Sequence, residues 1–228
     1  MSLIDLNQKP LPLSIHILTT SLNRDRHQSI LNTWLKDFYD YVFYTDFTSE
    51  IGNQVELTTN TEYHSNGEKH ILEVNRIVRE KIHNDYQWFY FCDDDTVPNI
   101  SRILDYCRTA DRSKVHAWTD TCWAEDPTLL SVSGGAGYLV PSEVFQGRTP
   151  PRLKRIVWSD VQFALWLREN GIPLQHNSEF KHNIPSQFGI DISTVEGRNL
   201  VREHMSFHYV KNHELRSAIW EIYNTPKE

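Results

Sequence analysis

The chain has 228 residues, of which 39% are hydrophobic and 12% aromatic, so it is long enough to bury a substantial core as one large domain. Its formal net charge is −7, and the sequence contains no dense run of Lys or Arg. It therefore lacks the basic surface that a nucleic acid or an acidic membrane would need, and we expect no nucleic-acid partner.

The first third of the chain predicts alternating strands and helices. Residues 14–20 are rich in β-prone side chains and predict a strand that meets a polar loop. Apolar residues recur at helical spacing over 27–38, and residues 41–45 predict a second strand. Residues 55–58 then predict a third short strand and 68–84 a second helix.

An aromatic run leads into three consecutive acids. Residues 88–92 are apolar without interruption, as expected of a strand that is buried on both faces of a helix-covered sheet. The run ends in Asp93, Asp94 and Asp95. These carboxylates are thus predicted at the carboxyl end of a strand, where open α/β sheets bind their ligands.

The later segments complete the pattern. A glycine-rich turn is predicted at 133–137 and a flexible loop at 149–152, while residues 161–167 and 215–223 predict helices. We expect an α/β fold with a mixed, mainly parallel central sheet flanked by helices, in a single domain spanning residues 1–228.

Cysteine content and apolar runs bear on the compartment. No stretch approaches the roughly 20 continuous apolar residues that cross a bilayer, and residues 1–12 lack the pattern of a signal peptide. Cys92, Cys107 and Cys122 are odd in number and have no Cys-x-x-Cys spacing, which favours buried free thiols over disulfides or zinc. We expect no transmembrane segment and a reducing compartment.

The acidic triplet has two interpretations. Adjacent carboxylates in aromatic surroundings repel each other, and a hard cation such as Mg²⁺ or Mn²⁺, completed by the phosphates of a nucleotide, would relieve that repulsion. Alternatively, the triplet is a solvated turn at the start of a helix beginning near Pro98, because acids are favoured at helix N-termini.

Three further features are each ambiguous alone. Gly134 and Gly135 permit close approach of a ligand to the backbone, or only a tight chain reversal. Asp160, between Ser159 and an apolar helix, is a candidate general base or an N-terminal helix cap. His208 is a candidate metal ligand or a core histidine.

Taken in chain order, these segments form one constellation. It comprises Thr19-Thr20 with Arg24-Asp25-Arg26 and Asp46, Trp88 to Asp95, Ser133-Gly134-Gly135-Ala136-Gly137-Tyr138, Ser159-Asp160-Val161 and Ser206-Phe207-His208-Tyr209-Val210. In this order they resemble motifs of the fringe and core-1 β1,3-galactosyltransferase family of inverting glycosyltransferases, which have the GT-A fold. The resemblance extends over about residues 14 to 222.

The resemblance implies a role for each residue. Asp93, Asp95 and His208 would bind Mn²⁺ or Mg²⁺, with His182 as the alternative ligand, and Asp160 would be the catalytic base. The UDP-sugar donor would be bound by Thr19, Thr20, Arg24, Arg26, Asp46, Asp93, Asp94, Gly134, Gly135 and Ala136. Residues 14–100 would form the donor-binding part and residues 101–228 the acceptor and catalytic part.

The implied activity is transfer of a hexose or N-acetylhexosamine, with galactose favoured, from a UDP-sugar to a sugar hydroxyl. The acceptor would be an oligosaccharide or glycoconjugate and the linkage β1,3. One alternative is a non-catalytic relative, such as a chaperone or binding module, although the intact acidic motif argues against it. A metal-dependent nucleotide hydrolase is another, but it would not need the glycine turn or Asp160.

The sequence departs from the family in three respects. Ala164 follows the acidic motif where the family usually has glycine, and neither the Golgi anchor with its stem nor the lumenal disulfides have a counterpart. These departures favour a cytoplasmic bacterial or viral enzyme. The alternative is a lumenal catalytic domain that lacks its anchor.

Overall fold

The structure is a computed structural model that describes residues 13–48, 52–62, 65–121, 126–153 and 158–227. Its strands are β1 (Leu13–Leu18), β2 (Tyr41–Thr45), β3 (Gln54–Glu56), β4 (Trp88–Asp93), β5 (Val97–Pro98), β6 (Val115–Ala117), β7 (Thr119–Asp120), β8 (Ser131–Val132), β9 (Tyr138–Pro141), β10 (Leu174–His176), β11 (Phe180–Lys181) and β12 (Ser206–Phe207). Its α-helices are α1 (Arg24–Leu31), α2 (Asn66–Arg79), α3 (Ile100–Cys107), α4 (Ser159–Glu169), α5 (Val195–Arg202) and α6 (His213–Asn224).

Within the described residues, the main sheet has seven strands in the order β10-β6-β9-β4-β1-β2-β3. Strand β1 runs parallel to both β2 and β4, β2 to β3, and β6 to β10. Only β9, between β4 and β6, runs antiparallel to its neighbours in this part of the chain. The predicted fold class, a mixed and mainly parallel sheet flanked by helices, is confirmed.

Strand β4 is the centre of the sheet, and its side chains alternate between two cores. Trp88 and Tyr90 pack in one cluster with residues of α1, α3, α5 and α6. Phe89 and Phe91 pack in a second cluster with residues of α2 and α4. None of the four is more than 2% exposed, so both faces of β4 are covered, as the uninterrupted apolar run predicts.

Two helices are shorter than predicted. The first ends at Leu31 instead of continuing to residue 38, because the Thr33 hydroxyl donates to the Ser29 carbonyl and turns replace the helix over 32–37. The second ends at Arg79, since Lys81 adopts a left-handed conformation with φ of 57° ahead of a short 3₁₀ turn.

The chain after the acidic triplet also differs from the predicted helix start near Pro98. Val97 and Pro98 form β5, and the helix begins at Ile100 with the Asn99 side chain accepting from the Arg102 backbone N–H. Strand β5 pairs antiparallel with β12, and β12 pairs parallel with β11. This small sheet brings residues that follow β12 beside the triplet.

Cys92 and Cys107 are buried free thiols, while Cys122 lies outside the described residues. Across the parts of the chain that the structure describes, no helix is both long and apolar enough to cross a membrane.

Candidate active site

The acidic triplet lies at the carboxyl end of β4, beside the end of β1. Leu18 is the register partner of Asp93, and the Asp94 backbone N–H donates to the Leu18 carbonyl at 3.2 Å. Because β1, β2 and β4 are parallel, their carboxyl ends meet at one edge of the sheet, and the loops that follow them converge on the carboxylates.

Asp93, Asp95 and His208 form a compact group of potential metal ligands. The His208 Nε2 atom lies 3.0 Å from Asp95 Oδ1 and 4.0 Å from Asp93 Oδ2. One ligand atom from each residue lies within 4.8 Å of the others. Two carboxylates and an imidazole in this arrangement are a donor set that suits a divalent ion such as Mn²⁺ or Mg²⁺.

The pairing of β5 with β12 places His208 there. Phe207 is the register partner of Val97, and the Val210 backbone N–H donates to the Asp95 carbonyl at 2.8 Å. The backbone carbonyl of His182 is a further hydrogen-bonding partner of His208. An outer hydrogen bond of this kind fixes the orientation of an imidazole that binds a metal through its other nitrogen.

The glycine turn packs directly on His208. A Cβ atom at Gly135 would lie 2.0 Å from Cε1 and 2.1 Å from Nε2 of the His208 ring, so only glycine leaves room for this histidine. The Thr96 hydroxyl donates to the Gly135 carbonyl at 2.6 Å, and the Ser206 hydroxyl donates to the Ala136 carbonyl. The turn is therefore tied to the segment between β4 and β5 and to β12.

The side chains of the group influence one another's ionisation. Burial, together with the neighbouring Asp95 charge, raises the pKa of Asp93 to about 7. Burial also opposes ionisation of Asp95, but the His208 hydrogen bond and the positive charges of His208, Arg26 and Lys211 together outweigh it and lower the Asp95 pKa. For His208, burial would lower the pKa, yet the bond and charge of Asp95 raise it. A divalent cation would relieve the repulsion that Asp93 experiences.

Asp94 is held by protein groups. Its carboxylate accepts from the Thr19 hydroxyl at 2.6 Å and from the Arg26 guanidinium, and its side chain is buried. Burial raises the Asp94 pKa, although Arg26 and Thr19 counteract the effect. The same guanidinium lies 3.8 Å from Asp95, so Arg26 supplies positive charge at the edge of the ligand group.

Asp46, at the end of β2, is enclosed. Its carboxylate accepts from the Ser21 backbone N–H at 2.7 Å and lies 3.3 Å from Nζ of Lys69, and both side chains are 0% exposed. Lys69 also donates to the Thr19 carbonyl at 2.9 Å. Thr20 is a further side-chain partner of Asp46. This pair joins the loops that follow β1 and β2.

Arg24 is exposed at the start of α1. Its guanidinium carbon lies 4.4 Å from the centroid of the Phe47 ring, and no hydrogen bond to another described side chain fixes it in place. A guanidinium stacked on an aromatic ring and open to solvent remains available to a phosphate.

Asp160 is the second residue of α4 rather than its cap, which is Trp158. Its carboxylate accepts from the Val161 backbone N–H at 2.8 Å and has the Gly134 backbone N–H as a further partner. Burial raises the Asp160 pKa, and these hydrogen bonds partly offset that rise. The structure thus brings Asp160 beside Gly134 of the glycine turn. The next residue of that turn, Gly135, packs against the His208 ring.

His182 lies beside the group but is not among its ligands in the described residues. Its ring is 4.6 Å from the ring centroid of Trp118 and 5.4 Å from that of Phe188. His182 contributes to the site through its backbone carbonyl, which holds the His208 ring.

Sequence reasoning missed two buried cations at the site. One is Lys69, and the other is Arg216 of α6, whose guanidinium donates to the Asp94 carbonyl at 2.8 Å and to the Val210 carbonyl at 3.0 Å. Each lies on a helix that is far from the triplet in sequence, and neither belongs to a recognisable motif. The only signal in the sequence would have been that a buried acid needs a cation nearby.

A buried polar network was also missed. Glu73 accepts hydrogen bonds from His16 and His70, each at 2.9 Å, and His70 pairs with the Tyr138 hydroxyl at 2.6 Å. These residues tie α2 to β1 and β9 directly beneath the glycine turn.

Comparison with known proteins gives one family match. Residues 13–114 match the sequence model of the Fringe-like family, a segment that includes the acidic triplet and the loops after β1 and β2. No curated protein matches the chain.

Three solved structures are similar to the chain at low sequence identity. A glycosyltransferase involved in the glycosylation of the major capsid of PBCV-1 has 14% identity and a TM-score of 0.47, with 90% of this chain and 98% of that chain covered. The glycosyltransferase GlyE of Streptococcus pneumoniae has 9% identity and a TM-score of 0.48, with 96% and 61% covered. Core-mannan synthase A of Aspergillus fumigatus, in its Mn/GDP form, has 10% identity and a TM-score of 0.37, with 73% and 66% covered.

All three TM-scores lie below 0.5, so no property of this chain is inferred from these similarities. The family match is independent of them. Residues 13–114 match the Fringe-like family model, in agreement with the resemblance predicted from the motifs in that segment.

Proposed function

We propose that the protein is a metal-dependent, inverting glycosyltransferase. It moves a hexose or N-acetylhexosamine, with galactose favoured, from a UDP-sugar to a sugar hydroxyl and forms a β1,3 linkage. The observation that carries the proposal is the group of Asp93, Asp95 and His208 at the carboxyl end of β4, with Asp160 beside the adjoining glycine turn. Residues 1–228 would act as one catalytic domain.

Asp93, Asp95 and His208 would hold Mn²⁺ or Mg²⁺. The fit rests on their donor atoms, on the raised pKa of Asp93, and on the outer hydrogen bond that orients His208. When bound, the ion would supply positive charge for the diphosphate of the leaving group. His182 is the less favoured ligand, because its ring packs against Trp118 and Phe188.

The donor would lie over the loops that follow β1 and β2. Arg24 and Arg26 would contact the pyrophosphate through charge-assisted hydrogen bonds. Thr19, Asp94 and Asp46 already bond to protein groups, so their part would be to hold Arg26, Ser21 and the backbone of this loop in place for the nucleotide. Thr20 lies in the same loop, next to Thr19. Gly134, Gly135 and Ala136 would border the donor sugar.

Asp160 would act as the general base. As the acceptor oxygen forms its bond to the anomeric carbon, the proton of that hydroxyl passes to the Asp160 carboxylate, and the bond between the anomeric carbon and the UDP oxygen breaks. UDP leaves with the electron pair of that bond. Attack from the face opposite to UDP inverts the anomeric centre, and base catalysis of this kind contributes about 10²–10⁴-fold in rate.

The Asp160→Asn variant tests the base. It keeps the size of the side chain but removes the basic oxygen, so we expect UDP binding close to that of the wild type and transfer reduced by about 10²-fold or more. Retained turnover would exclude Asp160 as the base.

Asp95→Ala tests the metal site. We expect it to lose metal-dependent UDP binding, while Asp105→Asn, at an exposed position on α3, keeps it as a matched control. Calorimetric titration of UDP in the presence of Mn²⁺ measures all three proteins. Equal UDP affinity in the wild type and in Asp95→Ala would contradict the assignment of this residue.

A further inference from the structure

A wall of partly exposed rings stands beside the candidate site on the side away from the proposed donor loops. It consists of Trp118, His176, His182 and Phe188 with Lys181, and is called the Trp118 wall below. The Trp118 ring centroid lies 5.0 Å from that of His176 and 4.6 Å from that of His182.

The sheet order fixes where the wall lies. Tyr138 of β9 is the register partner of both Phe91 in β4 and Ala117 in β6, so Trp118 follows β6 at the same edge where the acidic triplet follows β4. The loops proposed to bind the donor follow β1 and β2, on the other side of β4. The Trp118 wall therefore lies across the metal group from the donor loops.

Two contacts tie the wall to the candidate site. The Ser133 backbone N–H, at the start of the glycine turn, donates to the Trp118 carbonyl at 2.8 Å. The His208 backbone N–H donates to the Lys181 carbonyl at 3.1 Å, and the neighbouring His182 carbonyl holds the His208 ring. Any molecule on the wall is thus next to the turn that Asp160 contacts.

The chemistry of the wall suits a sugar. Trp118 is partly exposed, and an indole ring has apolar faces of the kind that pack on the C–H face of a pyranose ring. Polar groups lie near it: His176 is exposed, and Lys181 Nζ lies 6.0 Å from the Trp118 centroid. Nδ1 of His182 is buried and has no hydrogen-bonding partner among the described residues. An apolar surface with a few convergent polar groups is typical of small-molecule sites.

We infer that the Trp118 wall binds the acceptor of the transfer reaction, as a glycan whose terminal pyranose stacks on the indole of Trp118. The inference rests on the proposed function and adds to it the surface that binds the acceptor and a residue that determines acceptor binding. Trp118 is not a catalytic residue, since it contacts the acceptor away from the reacting hydroxyl.

Saturation-transfer NMR with methyl glycosides tests the inference. The probes are methyl β-D-galactopyranoside, methyl β-D-glucopyranoside and their 2-acetamido analogues, added to the protein with UDP and Mg²⁺, which is not paramagnetic. We expect at least one probe to bind the wild type. Trp118→Leu keeps an apolar side chain without a ring and should weaken that binding about tenfold, whereas Trp118→Phe keeps a stacking face and should lose less.

Controls separate this inference from the proposed function. UDP affinity of each variant is measured by calorimetry and should stay at the wild-type value, and Tyr39→Ala, an exposed aromatic residue away from the wall, should bind the glycosides as the wild type does. If the wild type does not bind UDP in the presence of metal, the proposed function is refuted. The glycoside titration does not require UDP, so it tests binding to the Trp118 wall separately.

Three outcomes would overturn the inference. They are binding of none of the glycosides by the wild type, equal glycoside binding by Trp118→Leu and the wild type, and loss of UDP affinity in Trp118→Leu as large as its loss of glycoside affinity. The last result would assign the wall to the donor.

Discussion

Replacing Gly135 by alanine should disrupt the proposed metal site without touching any of its ligands. The new Cβ atom would lie 2.0 Å from His208 Cε1, whereas such contacts are essentially never shorter than 3.0 Å and ordinary ones begin at 3.4 Å, so the two atoms must move apart by roughly 1 to 1.4 Å. The turn cannot retreat freely because Thr96 and Ser206 bond to the carbonyls of Gly135 and Ala136. The His208 ring must therefore move.

A shift of this size is large for a metal ligand. Ligand distances in metal sites vary by about 0.2 Å, and substitutions that merely disturb an outer hydrogen bond already weaken binding about 10- to 100-fold. We expect Gly135→Ala to weaken Mn²⁺ binding by at least that factor. The assay is calorimetric titration of Mn²⁺ in the presence of UDP, with the melting temperature recorded to verify folding.

Gly134→Ala is the matched control. Its Cβ atom would meet Asp160 Cβ at 3.6 Å and Ser159 Oγ at 3.8 Å, which are ordinary contacts, so it should fold and keep His208 in place. A folded Gly135→Ala protein that binds Mn²⁺ as tightly as Gly134→Ala would refute the role given to the turn and to His208.

Buried ionisable groups give four further predictions. Lys69→Met leaves the Asp46 carboxylate buried without its cation and should lower the free energy of unfolding by about 3–5 kcal/mol in a denaturant titration. The double variant with Asp46→Asn should recover most of the loss. An unchanged free energy of unfolding in Lys69→Met would contradict the pairing. Mn²⁺ affinity should rise with pH through about 7, because Asp93 and His208, whose pKa values are raised, must both lose a proton to bind metal; a flat profile from pH 6 to pH 8 would exclude them as ligands. In the metal-free protein the raised pKa of Asp93 means that the folded state holds a proton that the unfolded chain releases, so the contribution of Asp93 to stability falls as the pH rises toward 7. Burial raises the pKa of Cys107 to about 12 and also raises that of Cys92, so neither thiol should react with a thiol reagent at pH 8 until the protein unfolds, and rapid labelling of either in the native state would contradict their burial.

The central strands could be predicted because their signals are local. Residues 88–92 carry an uninterrupted apolar run, and the structure buries both faces of β4. The second strand, Tyr41–Thr45, has the predicted bounds. The acids after β4 lie at the predicted edge because strand direction follows from the parallel pairing.

Features that depend on distant contacts were not predictable in the same way. Position 135 needs glycine because the His208 ring leaves no room for a Cβ atom there. His208 follows β12, much later in the chain. Lys69 lies on a helix whose apolar spacing was evident, yet nothing in the sequence distinguishes this buried lysine from an exposed one. The first helix stops early because a threonine hydroxyl competes for a backbone carbonyl, an effect weaker than the apolar spacing that predicted its continuation.

The choice between His208 and His182 also required the fold. Both histidines follow short strands of the same small sheet, and sequence alone left both open as metal ligands. Pairing of β5 with β12 carries the His208 ring to Asp95, whereas the ring of His182 packs toward Trp118. The ligand assignment remains a proposal that metal binding by His208→Ala and His182→Ala can decide.

Titration of UDP into the wild-type protein by calorimetry, once with Mn²⁺ and once with a chelator, tests the central claim most directly. The proposed site at Asp93, Asp95 and His208 predicts that UDP binds with Mn²⁺ and that the affinity is lost when the metal is removed. Equal UDP binding in the chelator, or no UDP binding when Mn²⁺ is present, would contradict a metal-dependent donor site.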